Sequence, residues 1–78
     1  MIQIRLTQKQ ETCVYWLSEG HSYLEIADEM NLTSVVNVMA LLKAARDKLD
    51  AKDNDELITQ CLIRGILKKR KEINNVNQ

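Results

Sequence analysis

Apolar side chains recur along this chain at steps of three and four, gathered into four runs separated by polar or glycine-containing stretches. The first run holds Cys13, Val14, Trp16 and Leu17, and the second Ile26, Ala27 and Met30. The third is Val35, Val38, Leu42, Ala45 and Leu49, and the fourth Leu57, Ile58, Cys61, Leu62 and Ile66. Such spacing returns each apolar residue to one face of an α-helix. The pattern therefore predicts an all-α domain of four helices.

Each run is preceded by a residue able to cap a helix. Thr7 with Gln10, Ser22 with Glu25 and Asp53 with Glu56 all fit the capping box, in which the cap side chain accepts the third backbone N–H and the third side chain reaches back. Either Thr33 or Ser34 caps the third helix. Gly20 and Asn31 tolerate the left-handed backbone that ends a helix. The cations Lys68, Lys69, Arg70 and Lys71 are expected at the carbonyl end of the fourth helix, where its dipole favours them. Residues 1–71 then form one domain, and 72–78 a polar, frayed tail. A helix, a glycine turn, a short helix, an asparagine turn and a longer helix make up the pattern of a helix-turn-helix.

Composition narrows the function. A chain of 78 residues buries only about 60–65% of the surface its unfolded form exposes, which favours surface binding or self-association over a deep substrate cavity. It has no proline, no phenylalanine and only two glycines, which argues against a turn-rich β-sandwich. Cys13 and Cys61 stand far apart with a lone His21, so no four-ligand zinc site assembles from one chain. One disulfide is formally possible, but both cysteines fall on apolar faces, which favours buried free thiols. No glycine-rich phosphate loop and no Ser/His/Asp set is present, which predicts a non-enzymatic protein without a cofactor. No run approaches a membrane span or a leader, so no membrane contact and a cytoplasmic, reducing location are expected.

The run Leu6-Thr7, then residues 13–22, then Glu25-Ile26-Ala27-Asp28-Glu29-Met30-Asn31-Leu32, resembles the LuxR/GerE-type helix-turn-helix domain of bacterial transcription regulators. Lys48-Leu49-Asp50-Ala51-Lys52 followed by Asp55-Glu56-Leu57-Ile58 is similar to that family's junction into its fourth helix. The resemblance covers about residues 5–67, and suggests a small stand-alone member. It implies a four-helix domain whose third helix enters the DNA major groove and whose fourth helix pairs two copies. The region-4 helix-turn-helix of sigma factors also resembles Lys43-Ala44-Ala45-Arg46-Asp47-Lys48-Leu49, but the amphipathic segment from Leu57 to Leu67 favours the LuxR type.

The departures from the family pattern bear on DNA reading. One extra residue lies between Leu32 and Lys48; placed in the turn, it keeps Val38 and Leu42 on the core face. Asn37 then takes the position of the family's usual threonine, and Met39, Ala40 and Lys43 fall on the base-reading face. Leu41 stands where the family often has histidine, and Met39 where it often has lysine. Gln10 replaces a usual glutamate, and Asp50 a usual glycine.

Net charge is zero, which is unusual for a domain that grips phosphates. Residues 1–32 balance at −3, residues 33–56 at −1, and residues 57–78 at +4. The nominated DNA contacts are Lys43 and Arg46 on helix three, Lys52 just beyond it, and Lys9 with Arg5. Backbone donors at the helix starts near Ser22, Thr33 and Ser34 join them. Asn37, Met39 and Ala40 complete the set. Met39, Ala40 and Leu41 either touch thymine methyl groups or form an apolar patch for a protein. Glu25, Asp28 and Glu29 are read as a solvated face, and Trp16 as core. On helix four, Leu57, Ile58, Cys61 and Leu62 are expected to form the homodimer interface, with Leu57 and Leu62 turned inward and Ile58 and Cys61 partly at the seam. Two functions follow: a homodimeric regulator of double-stranded DNA, or an interaction module that turns the Val36–Leu41 face towards a heterologous protein partner.

Overall fold

The computed structural model describes residues 5–67. These form four α-helices and no strand: α1 Gln8–Ser18, α2 Tyr23–Glu29, α3 Val35–Leu49 and α4 Asn54–Ile63. The predicted all-α class and the number of helices agree with this. The lysine- and arginine-rich run at 68–71 and the tail at 72–78 lie outside the described residues.

Local chemistry starts each helix. Thr7 and Ser22 head complete capping boxes: Gln10 N–H donates to Thr7 Oγ1 at 3.1 Å while Thr7 N–H donates to Gln10 Oε1 at 2.9 Å. The same reciprocal pair joins Ser22 and Glu25. At α4 the expected box is half formed. Asp53 accepts from Glu56 N–H at 2.8 Å, but the Glu56 carboxylate takes the N–H of Lys52, one residue before the cap, at 2.8 Å. Ser34 rather than Thr33 caps α3, accepting from Val36 N–H.

One device ends all four helices. Gly20, Asn31, Asp50 and Gly65 have φ of 93°, 57°, 56° and 78°. In each case the following N–H bonds back five residues: His21 to Trp16 O, Leu32 to Ala27 O, Ala51 to Arg46 O and Ile66 to Cys61 O. This is the Schellman closure, which satisfies the last carbonyls and turns the chain sharply. It also stops α4 at Ile63, five residues before the cationic run that was expected to mark its end. The helical period of the sequence continues past Gly65, but the backbone does not.

Helix α3 is the spine, packing against α1, α2 and α4. Val38, Leu42, Ala45 and Leu49 point from it into a core completed by Leu6, Cys13, Val14, Ile26, Ala27, Leu57, Cys61 and Leu67. Ile26, Leu42 and Leu57 are its largest fully enclosed side chains, each contributing about 1.5–3 kcal/mol by leaving water. Val35, expected on the core stripe, is only half-buried at its first turn, and Met30 is half-buried at the end of α2. Trp16, expected as a core anchor, lies at the core margin. Its ring meets Tyr15 at a centroid distance of 5.0 Å and His21 at 4.9 Å.

A candidate nucleic-acid interface

Because 38, 42, 45 and 49 take the inward side of α3, residues 36, 39, 40 and 43 are left on its other sides. Val36 is 67% exposed and Met39 50%, and Ala40 and Lys43 are exposed with them. This agrees with the expected outward face except at Leu41. That side chain is half-buried against the core, so it leaves the proposed reading set.

The polar members of the nominated set are mostly engaged within the chain. Thr33 Oγ1 and Ser34 Oγ both donate to Asn37 Oδ1 at 3.2 Å. Ser22 Oγ accepts from Glu25 N–H at 3.1 Å. Lys43 Nζ pairs with Asp47 at 3.0 Å, an exposed contact one helical turn away. Arg46 is half-buried and Nη1 donates to Asn54 Oδ1, while Asn54 Nδ2 donates to Tyr23 Oη at 2.7 Å. Three helices are thereby laced together, and the guanidinium nominated for DNA serves inside the fold. Only the periodic spacing was visible in the sequence; contacts 8 and 31 residues apart carry no local signal.

Lys9 and Lys52 are exposed but stand away from the start of α3. Lys9 adjoins Gln10, which Lys48 holds at the far end of α3, and Lys52 follows that end. A helix of 15 residues is about 22 Å long, so the cations gather near its C-terminal half and the apolar readers near its N-terminal half. The described residues carry seven basic and ten acidic side chains.

Sequence reasoning missed Leu24, which is 72% exposed on α2. It borders a groove of about 410 Å³ shared with Ala27, Asp28, Leu32 and Ser34. Glu25, Asp28 and Glu29 are exposed, as the solvated-face reading requires. The Glu25 carboxyl lies below its ordinary value, first because the Ser22 backbone N–H donates to it, against an opposing desolvation and with help from the Ser22 side chain and His21.

The fourth helix needs two corrections. Leu57 and Cys61, both expected at the dimer interface, are fully buried in the chain's own core, since positions 57 and 61 are one turn apart on the inward side. Leu62, expected inward, is 38% exposed, and Ile63 is more exposed still. The apolar surface left for a second copy is thus Ile58, which is half-buried, with Leu62 and Ile63.

Both thiols are free and enclosed. Burial raises the Cys13 pKa to about 11, and burial is also the main cause of the upward shift at Cys61. Neither is poised as a thiolate nucleophile or ligand. Among the described residues no three His, Cys, Asp or Glu side chains are grouped to hold a metal, and no helix is long and apolar enough to cross a membrane. Comparison with known protein families, curated proteins and solved structures finds no match for this chain.

Proposed function

We propose that this chain is a DNA-binding transcription regulator of the LuxR/GerE helix-turn-helix kind, acting as a homodimer with α3 in the major groove. The observation that carries the reading is the outward side of α3. Val36, Met39, Ala40 and Lys43 project from a capped helix that follows α2 through a tight turn, and the width of an α-helix suits the major groove. Lys9, Lys43 and Lys52 supply phosphate contacts, and Ile58, Leu62 and Ile63 on α4 supply the dimer surface. Pairing offsets the scarcity of cations, because the second contact of a dimer becomes effectively intramolecular.

Titration of a labelled random-sequence duplex with the full chain at several salt concentrations tests this. Three lysine–phosphate contacts per copy give a slope of log K against log salt of about −3 per copy. Absence of binding at low salt removes the DNA role.

A second reading rests on a separate observation. The same face exposes two large apolar side chains, Val36 and Met39, and acidic groups outnumber basic ones among the described residues, as on a heterologous protein surface. Met39→Lys separates the two. It strengthens duplex binding if the face meets DNA, and weakens partner capture if the face meets protein.

A further inference from the structure

Resting on the DNA-binding reading, we infer that the α3 face selects its site through thymine C5-methyl groups rather than through hydrogen bonds to base edges. The hydrogen-bonding side chains of this face already have partners within the chain. Bidentate reading of adenine by an asparagine needs both ends of the carboxamide, one accepting and one donating. In Asn37 the accepting oxygen already takes the Thr33 and Ser34 hydroxyls. Bidentate reading of guanine by arginine needs a guanidinium free to present its fork. Arg46 is half-buried and donates to Asn54, which Tyr23 holds in turn.

Lys43 lies one turn beyond Met39 and Ala40, beside the exposed Asp47 carboxylate. That exposed pair is weak, so Lys43 is released readily to a phosphate as a point charge. A carboxylate next to it opposes the acceptor-rich major-groove edge of guanine. The side chains left without a polar task are Val36, Met39 and Ala40, all exposed and all apolar. In the major groove the one apolar group that distinguishes a base is the methyl of thymine. The flexible Met39 thioether can follow such a methyl closely, as methionine does on adaptable binding surfaces.

Duplexes of about 30 base pairs that differ only in this methyl test the inference. The full chain is titrated with an A·T duplex and with the same duplex carrying deoxyuridine for thymidine, which keeps every phosphate and every pairing group. A G·C duplex is compared with its 5-methylcytosine form, which adds a methyl in the same groove. Burying one methyl changes affinity about fourfold, so the thymine and methylcytosine duplexes bind at least that much more tightly than their partners. In Val36→Ser and Met39→Ser, both at exposed positions, the ratio falls towards one. Salt-dependent binding with equal affinity for the methylated and unmethylated duplexes overturns the inference and leaves the DNA-binding reading standing. A ratio that survives both substitutions also overturns it. Absence of binding to all four duplexes at low salt overturns the DNA-binding reading, and the methyl preference with it.

Discussion

Lys48, near the end of α3, donates from Nζ to Oε1 of buried Gln10 at 3.0 Å. That oxygen also accepts the Thr7 N–H, so one side chain both closes the capping box of α1 and anchors α1 to α3. A neutral amide satisfies both donors without burying a charge, which accounts for a glutamine at a position only 7% exposed. Gln10→Ala takes the acceptor from the Thr7 N–H and leaves Lys48 only the Arg5 carbonyl, and is expected to lower stability by about 1–2 kcal/mol in urea unfolding. Gln8→Ala, two residues earlier and exposed, is expected to be close to neutral.

The Arg46–Asn54–Tyr23 chain gives a coupled prediction. Tyr23→Phe removes one partly buried hydrogen bond and is expected to cost about 1 kcal/mol, and Asn54→Ala removes that bond and the one from Arg46 and is expected to cost about 2 kcal/mol. The double variant is expected to cost less than the two losses added together, because both changes break the same contact. Simple additivity in a double-mutant cycle would show that this bridge contributes nothing.

Helix closure predicts opposite signs at two positions. Asp50 has a left-handed backbone that disfavours any side chain, so Asp50→Gly is expected to raise stability by about 0.5–1 kcal/mol. Gly65→Ala has open space for its methyl but meets the same backbone penalty, and is expected to destabilise by a similar amount. Thermal unfolding of the two variants reads both signs.

A pH dependence follows from the α2 cap. The folded Glu25 carboxyl is held below its ordinary value of 4.5, first by the Ser22 backbone N–H. A lowered folded pKa means that its contribution is fully present above the unfolded value and is lost as pH falls through the lowered one. The stability difference between the chain and Glu25→Gln is therefore expected to narrow with acidification below about 4.5. A difference that is constant from neutral pH to strong acid would contradict this.

Cys61 and Ile63 on α4 separate folding from pairing. Cys61→Ser places a hydroxyl in the core and is expected to destabilise by about 1–3 kcal/mol. Ile63→Ser changes a side chain that is 71% exposed, and is expected to leave unfolding of the single chain nearly unchanged while weakening self-association in sedimentation.

The local grammar of this fold was legible where a signal and its partner lie within four residues. The Thr7 and Ser22 boxes, the turns at Gly20 and Asn31 and the inward stripe of α3 are all of that kind. Three features were not legible for the same reason in reverse. Gly65 breaks a run whose apolar period continues, so periodicity overran the true end of α4. On α4, residues 57, 58, 61 and 62 form a broad apolar stripe, and the positions of α3 and α1 decide which edge of it is enclosed. The engagement of Arg46 depends on Asn54, eight residues on in the next helix, whereas its charge alone had nominated it for phosphate contact.

Amide chemical shifts of the labelled full chain, followed as a short duplex is added, locate the surface that meets DNA. Docking of α3 in the major groove is expected to give the largest changes at Val36, Asn37, Met39, Ala40 and Lys43, with the core positions Leu42 and Leu57 little affected. Changes confined to α4 or to the Leu24 groove, or no changes at low salt, would contradict it.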